Sequence, residues 1–582
     1  MCTPVPVTVT CYGGIGEIGG NKILLEDGQH RLLFDFGRSF GLYGDYFDGV
    51  FVKERTGRGL LDPIAVGIIP PLEGLYRDDL LPCLDPAQIT ERVEEHTDER
   101  GRRRTRRVLE RDAARAYEDF WSRFRNAPGY RDLRREGPAV DAILISHAHL
   151  DHTGELNFVR PEIPACSTRT TAFVAKAMQD SGRPSTAGVV YVNPQALQES
   201  GLLKGDDRQG YTWRSWAFLD GDPGGETDPS DPFSSPRSFW EWRPMKQNAP
   251  APQPPPGRVP PGMSWWPLDH SVFGAAGFVV ETSTGPVAYT GDLRFHGREG
   301  PLSRRFVEEL CRTRPTALIC EGSRVDSART VTEAEVAERC LQAVRAAAGK
   351  IVVADFGPRN IERLNTFGEI ARLTGRRLLV QPKDAYLLAA IRLTAPGAVP
   401  DPAEEPWLAV YDDPKGRQDR WEQVTREKHR ASLVGPREVK ASPGEYILAL
   451  SLWDVADLLD VEHLLGGVPG GVYIYSNSQA YDDEQRVDLV RLWNWIRHFG
   501  MEPVGLALTC RDRTGRPTRV ETVPGYHASG HASGPELLEA VTAIRPKYLI
   551  PVHTERPRWW VKNLARTGIR VRIPAYGQPI PL

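Results

Sequence analysis

The first residues alternate apolar and polar side chains with a period of two. The runs VTVTCY, NKILLEDG and HRLLFDFG are separated by glycines, which predicts three strands around a glycine-rich turn before any helix. A sheet-first start of this kind argues against a βαβ nucleotide-binding fold. Residues 139–146, AVDAILIS, form an apolar run and predict a buried strand that feeds straight into a histidine-rich loop. After Glu321 the chain alternates helical and apolar segments: VTEAEVAERCLQAVRAAAG, KIVVADFG, NIERLNTFGEIARLTG and RRLLVQ. That is the rhythm of a parallel α/β unit. KYLIPVH and GIRVRIPAYG then predict a return to strands, while RLWNWIRHFG reads as an amphipathic helix that turns Leu492, Trp495 and Ile496 inward.

Two segments interrupt this pattern. From about residue 88 to 136 the chain is densely charged and its spacing reads as helical, so a solvated helical insertion is expected. The functional alternative is that GRRRTRR contacts phosphate while Tyr117, Phe120 and Trp121 meet bases. Residues 221–262 are rich in Pro, Gly and Ser and predict a long mobile loop with too little apolar surface to pack.

Composition narrows the picture only a little. At 582 residues the chain exceeds what one core usually supports, and 40% hydrophobic with 26% charged residues is ordinary for a globular protein. A formal net charge of -3 gives no support for a polyanionic partner, which would have to be met by local positive charge or bound metal. Eight cysteines are scattered without a CxxC pair, which excludes a zinc ribbon or a thioredoxin-like centre. No signal-peptide pattern or run of apolar residues long enough to span a membrane is present, so a cytoplasmic protein without membrane attachment is expected.

The chemistry concentrates in Ser146-His147-Ala148-His149-Leu150-Asp151-His152-Thr153-Gly154, four candidate ligands within six residues. Neutral imidazoles and a carboxylate suit zinc, and divalent cations offset the cost of crowding them. Alternate spacing on a loop puts His147 and His149 on one side and lets Asp151 and His152 turn toward a second metal. His270, Asp292 and His553 each follow or precede a predicted strand. Singly each reads as a capping or packing residue; together they complete two coordination spheres. His30, His96, His296, His429, His463 and His498 lack such a context.

HAHLDHTG resembles the HxHxDH signature of the metallo-β-lactamase superfamily. GGIGEIGGN followed by LLFDFG, the run GYHASGHASGPELLEAVTAIRPKYLIPVH, and IPVHTE resemble motifs of its β-CASP nuclease branch, in particular the ribonuclease J family. These motifs span residues 11 to 555 in the family's order. The resemblance implies a four-layer αββα sandwich with an inserted α/β β-CASP domain. Its expected divisions are 1–320 (insertions about 45–137 and 221–262), 321–505, and a closing part 506–582.

Carried over by motif, the resemblance implies one metal held by His147, His149 and His270, a second by Asp151, His152 and His553, and Asp292 between them. Asp35 is implied to orient the histidine loop. Glu321 and His531 match the pair that protonates the departing oxygen, and His527, Ser529 and Gly530 match a phosphate-holding loop. The implied reaction is hydrolysis of RNA phosphodiester bonds by a hydroxide shared between two zinc ions, with manganese as the alternative metal. Exonucleolytic and endonucleolytic modes both stay open, as does a homo-oligomer.

A histidine at position 553 resembles the RNA-processing members, whereas the DNA-repair members carry valine; single-stranded RNA is therefore favoured over DNA. In DFGPRNIERL, Arg359 replaces a serine of the family's pattern. The alternatives are a metallo-β-lactamase-fold hydrolase of DNA or small phosphodiesters, and a non-catalytic RNA-binding subunit.

Overall fold

The computed structural model describes residues 6–28, 30–47, 51–97, 102–182, 188–206, 210–244, 255–328, 330–357, 359–465, 470–480 and 483–582. Its centre is a pair of stacked sheets. The first has seven strands in the order Trp216–Phe218, Ala165–Ser167, Ala142–Leu144, His30–Phe34, Lys22–Asp27, Thr8–Gly13 and Pro579–Pro581. The second has six, in the order Met263–Pro267, Ala276–Val280, Val287–Tyr289, Ala317–Cys320, Tyr548–Pro551 and Arg570–Val571.

The period-two pattern explains the stacking. Val9, Cys11, Ile23, Leu25 and Phe34 face one way and meet Phe278, Tyr289, Ile319 and Ile550 of the second sheet. The alternate residues Leu24 and Leu33 face the other way and join a core with Trp121 and Phe173. The outer face of the second sheet is covered by helices Gly300–Thr313, Gly534–Ile544 and Pro557–Leu564, through Phe306, Leu310, Leu537, Val541 and Trp560. This is the αββα arrangement expected from the sequence.

A third, distal sheet has seven strands in the order Leu433–Val434, Leu408–Tyr411, Arg377–Val380, Tyr446–Ala449, Val352–Asp355, Gly471–Tyr475 and Met501–Val504. All its pairings are parallel. Helices cover both faces of such a sheet, which is why its strands read as continuous apolar runs. In the helix Asp483–His498, Leu492 and Ile496 point inward as expected, with Trp493 buried more deeply than Trp495.

The charged insertion is not helical where expected. Thr90–Thr97 and Arg103–Glu110 form an antiparallel hairpin, in register from Thr90↔Glu110 to Thr97↔Arg103. A strand facing solvent on both sides has no apolar stripe to reveal its period. Arg92 pairs with Glu110 at 2.9 Å, and Arg107 bonds Glu91, so these arginines are neutralised within the hairpin. Helix Ala113–Trp121 follows. Its Phe120 and Trp121 are buried, Tyr117 packs on Trp121, and Trp121 stacks on Tyr76. These rings serve the core and are withdrawn from any base.

The Pro- and Ser-rich segment also departs from expectation. Ser235 caps the short helix Pro236–Glu241, accepting a hydrogen bond from the Ser238 N–H. Trp240 then packs between Phe173, Trp213 and Phe218, and Phe239 and Trp242 are buried as well. Three aromatics supply the apolar surface that composition failed to suggest. Residues 245–254 of this stretch lie outside the described residues.

A buried charge network joins the central sheets to the distal one. Arg294 bonds Asp269 at 3.0 Å and also Glu362, and lies 3.7 Å from Glu333. Arg363 holds Glu333 at 2.9 Å and donates to the Ser476 hydroxyl at 2.6 Å and to the Tyr526 carbonyl at 3.3 Å. All five charged groups are at most 5% exposed, so each depends on its partner for the solvation it has lost.

Asp355, at the end of a central distal strand, is buried and accepts a hydrogen bond from the Tyr473 hydroxyl at 2.7 Å. Burial pushes its carboxyl up to about 7. A raised carboxylate pKa favours the folded state only at low pH; that contribution is lost as pH rises from about 4 through 7. Asp355→Asn is therefore expected to raise Tm at pH 8 and to lose that advantage near pH 5. Thermal melts at the two values decide it, and an equal shift at both would mean that ionisation of Asp355 is not the cause.

Candidate metal centre

The strand ends bring the site together. Val287–Tyr289, Ala317–Cys320 and Tyr548–Pro551 are parallel neighbours, with Tyr289 opposite Ile319 and Cys320 opposite Pro551. Asp292, Glu321 and His553, each just past one of these strands, consequently share one edge. The facing sheet delivers Asp35 after His30–Phe34 and the loop of His147, His149, Asp151 and His152 after Ala142–Leu144. Two glycines permit the closeness. A side chain on Gly37 would lie 1.6 Å from the Asp151 carbonyl oxygen, and one on Gly291 would lie 2.7 Å from the Ser146 Cβ.

Potential ligand atoms fall into groups that meet at Asp292. His147, His149 and His270 form one, and Asp151, His152, Asp292 and His553 another, each with atoms within 4.8 Å of one another. Asp292 Oδ2 lies 3.6 Å from His147 Nε2, 3.9 Å from His270 Nε2, 3.2 Å from His152 Nε2 and 3.6 Å from His553 Nε2. Both Asp292 oxygens and His152 Nε2 are buried without a hydrogen-bond partner among the described residues. Buried polar atoms are normally satisfied, and a divalent cation satisfies this set.

The opposite ring nitrogens are each committed elsewhere. His147 Nδ1 meets Ser146 Oγ at 3.0 Å, His152 Nδ1 meets Asp35 Oδ2 at 2.7 Å, His270 Nδ1 meets the Gly530 carbonyl at 2.6 Å, and His553 Nδ1 meets Ser323 Oγ at 2.7 Å. Such contacts fix the tautomer and aim the free nitrogen at the metal. Burial, reinforced by neighbouring imidazoles, holds His147 and His149 well below the usual histidine range, and burial brings His270 down to about 4. Neutral rings are what a metal requires.

Asp35 is the hub of this support. Its carboxylate accepts from Ser146 N at 2.7 Å, Ser146 Oγ at 2.8 Å and Tyr289 OH at 2.6 Å, besides contacting His152. Asp35 and His553 are two of the four non-glycine residues with positive φ among the described residues, at 56° and 51°. Backbone strain of this kind gathers where surrounding structure over-determines a functional position.

Glu321 and His531 form a pair beside these groups. His531 Nδ1 lies 3.1 Å from Glu321 Oε2 and 3.8 Å from Asp292 Oδ2. Burial opposes protonation of His531, but Glu321 and then Asp292 outweigh it and hold its pKa at about 9. Ser323, which carries no metal-binding signature in the sequence, donates to Glu321 Oε2 at 2.8 Å while contacting His553. Ser146 and Tyr289 were likewise missed. Their only signal was position, beside His147 and just before Thr290-Gly291-Asp292.

The expected phosphate loop is partly otherwise engaged. The Gly530 carbonyl supports His270, Ser529 Oγ accepts from the His531 N–H at 3.1 Å, and the Ser529 carbonyl accepts from Arg294 at 3.3 Å. His527 sits apart from the ligand groups, with Nδ1 3.4 Å from the Ser476 carbonyl, and burial beside Arg363 pushes it down to about 3.

A model of the metallo-β-lactamase superfamily matches residues 110–213. A second model, described as the Zn-dependent metallo-hydrolase RNA specificity domain, matches residues 517–574. The chain thus carries a metallo-β-lactamase domain and a metallo-hydrolase RNA specificity segment. The chain also resembles ribonuclease J of Corynebacterium glutamicum, 22% identical over 431 residues that cover 72% of this chain and 45% of the relative. The chain thus spans less than half of that relative's length. A crystal structure of a protein of unknown function from Enterococcus faecalis V583 covers 99% of this chain and 100% of its own at a TM-score of 0.61 and 17% identity. That likeness extends the fold over the distal sheet as well. No helix among the described residues is long and apolar enough to cross a membrane.

Proposed function

We propose that this metallo-β-lactamase-fold protein is a two-metal ribonuclease of the β-CASP branch acting on single-stranded RNA. The observation that carries the reading is the convergence of both histidine groups on one oxygen of Asp292, with the Glu321–His531 pair alongside. The match to an RNA specificity domain over residues 517–574, which include His531 and His553, supports RNA as substrate. So does the resemblance to ribonuclease J.

His147, His149 and His270 would hold one ion, Asp151, His152 and His553 the other, and Asp292 would touch both. Bound there, zinc or manganese supplies Lewis acidity toward a phosphodiester and its attacking water. The chain's own contribution is alignment and proton supply. Asp35 and Ser146 lock the histidine loop. His531, charged through Glu321, is placed to give a proton to the oxygen leaving phosphorus. Ser323 ties that pair to His553, so proton donor and metal ligands move as one unit.

The test is cleavage of end-labelled single-stranded RNA and matched DNA, each with a 5′-monophosphate or 5′-triphosphate. RNA is expected to disappear, to survive after chelation, and to be cut again when zinc or manganese is restored. The protein is expected to carry about two metal equivalents. A fully metallated protein that hydrolyses a small phosphodiester but leaves RNA intact would overturn the ribonuclease reading and keep only the hydrolase. Full metal content without any hydrolysis would sink both.

A further inference from the structure

The carboxyl edge of the distal sheet faces the metal centre. Two contacts show it: Arg359, in the loop after Val352–Asp355, donates from Nη1 to the Ala148 carbonyl at 3.2 Å, and Ser476, just past Gly471–Tyr475, donates to the Tyr526 carbonyl at 2.6 Å. Ala148 lies between two of the ligand histidines, and Tyr526 opens the stretch that delivers His531. In parallel α/β sheets the crevice at this edge is where ligands bind.

Arg359 is a half-buried guanidinium with five N–H donors, and the Ala148 carbonyl is its one hydrogen-bond partner among the described residues. No carboxylate among them forms an ion pair with it, in contrast to Arg294 and Arg363 nearby. A planar fork of donors left open beside a metal centre is matched to a phosphate.

The next strand, Tyr446–Ala449, pairs directly with Val352–Asp355, so the roots of the two loops are one strand spacing apart, about 4.8 Å. Its loop carries Trp453, which is 80% exposed. The other thirteen of the chain's fourteen tryptophans are buried or half-buried, which marks Trp453 as the exception. Nor is this a loose loop tip. Ser451 Oγ donates to Asp454 Oδ2 at 2.7 Å, the Asp454 N–H returns to the Ser451 carbonyl at 3.0 Å, and Lys383 anchors Asp454 at 2.6 Å. The turn holds a large aromatic face in water on the edge that looks toward the metals. Stacking a base on such a face is sequence-tolerant and favourable.

We propose that Arg359 and Trp453 form a track for single-stranded RNA. The guanidinium holds a backbone phosphate beside the reacting phosphodiester, and the indole stacks on a neighbouring base. The inference rests on the ribonuclease reading and adds to it a register for the strand. It also gives a use to the residue where this sequence departs from the family's serine.

The experiment is steady-state cleavage of a single-stranded RNA decamer at several salt concentrations by the metal-loaded, full-length protein. Arg359→Ala is expected to raise KM about tenfold, with a smaller change in kcat, and to flatten the log–log salt dependence of kcat/KM by about 0.7, one single-strand phosphate contact. Arg359→Lys recovers the salt slope. Trp453→Ala is expected to raise KM about tenfold with the slope unchanged, and Trp453→Phe recovers most of that loss. Variants with KM within about twofold of wild type, while wild type cuts RNA, would overturn the track alone; so would a conservative variant as poor as alanine. Wild type that fails to cut RNA when fully metallated removes the ribonuclease reading and the track together.

Discussion

Asp292→Asn is expected to lose hydrolysis by more than about 100-fold and to bind less metal than the wild-type chain. Removing a group that merely supports a metal ligand costs about 10–100-fold in affinity or activity. Asp292 is in a stronger position, because its Oδ2 lies within 3.9 Å of imidazole nitrogens from both histidine groups. It is also 1% exposed, so no solvent replaces its charge. An asparagine keeps the shape but offers one neutral oxygen where the proposed two-metal site calls for a charged one. Asp35→Asn supplies the comparison: its oxygens reach His152 and Ser146 rather than both groups, so it belongs in the 10–100-fold range. Metal analysis alongside rate measurement separates the cases. An Asp292→Asn protein with full metal and near-normal rate would remove Asp292 from the centre of the site.

The second large effect is expected at Glu321. Glu321→Gln should reduce kcat by about 100- to 10,000-fold, the range associated with positioned acid–base groups, while metal content stays near wild type. The reason is division of labour. Glu321 contacts His531 at 3.1 Å and accepts from the Leu293 N–H at 2.9 Å and from Ser323. Glutamine retains a carbonyl for one of these donors and removes the charge that favours protonated His531. His531→Ala should resemble it, and the double variant should be little worse than either single one, because the two act as a unit. Additive losses in the double variant would show that Glu321 and His531 act separately. Loss of metal in Glu321→Gln would instead make Glu321 a ligand, a role its grouping with Asp292, His531 and His553 allows geometrically.

How much of this was legible in the sequence depends on whether a residue announces its partner. The stacked sheets were readable because Val9, Cys11 and Ile23 alternate with polar or opposite-facing neighbours. The candidate ligand groups were readable because seven histidines and aspartates in and around strand ends have few other uses. The hairpin at 90–110 was not readable. Its arginines and glutamates pair across strands, and that pattern resembles the i, i+4 charge spacing of a helix. Residues 221–244 hid their packing behind Pro and Ser, with Phe239, Trp240 and Trp242 carrying most of the apolar load. Ser323, Ser146 and Tyr289 were invisible for a different cause. A hydroxyl that orients a ligand leaves no spacing signature, and only geometry reveals what it touches.

The network around Arg294 and Arg363 also bears on how such a molecule changes over generations. Asp269 and Arg294 flank the candidate ligands His270 and Asp292, while Glu333, Glu362 and Arg363 belong to the segment that builds the distal sheet. Removing one partner from a buried ionic set costs about 3–5 kcal/mol, whereas replacing the whole set with apolar residues can be neutral. Single substitutions at these five positions are therefore expected to be costly, whereas coordinated replacement of the set is expected to be tolerated. The central sheets and the distal sheet are thereby coupled through one buried ionic set. A distal segment transplanted from a relative that lacks these partners would strand Arg294 without its counter-charges, two residues from Asp292.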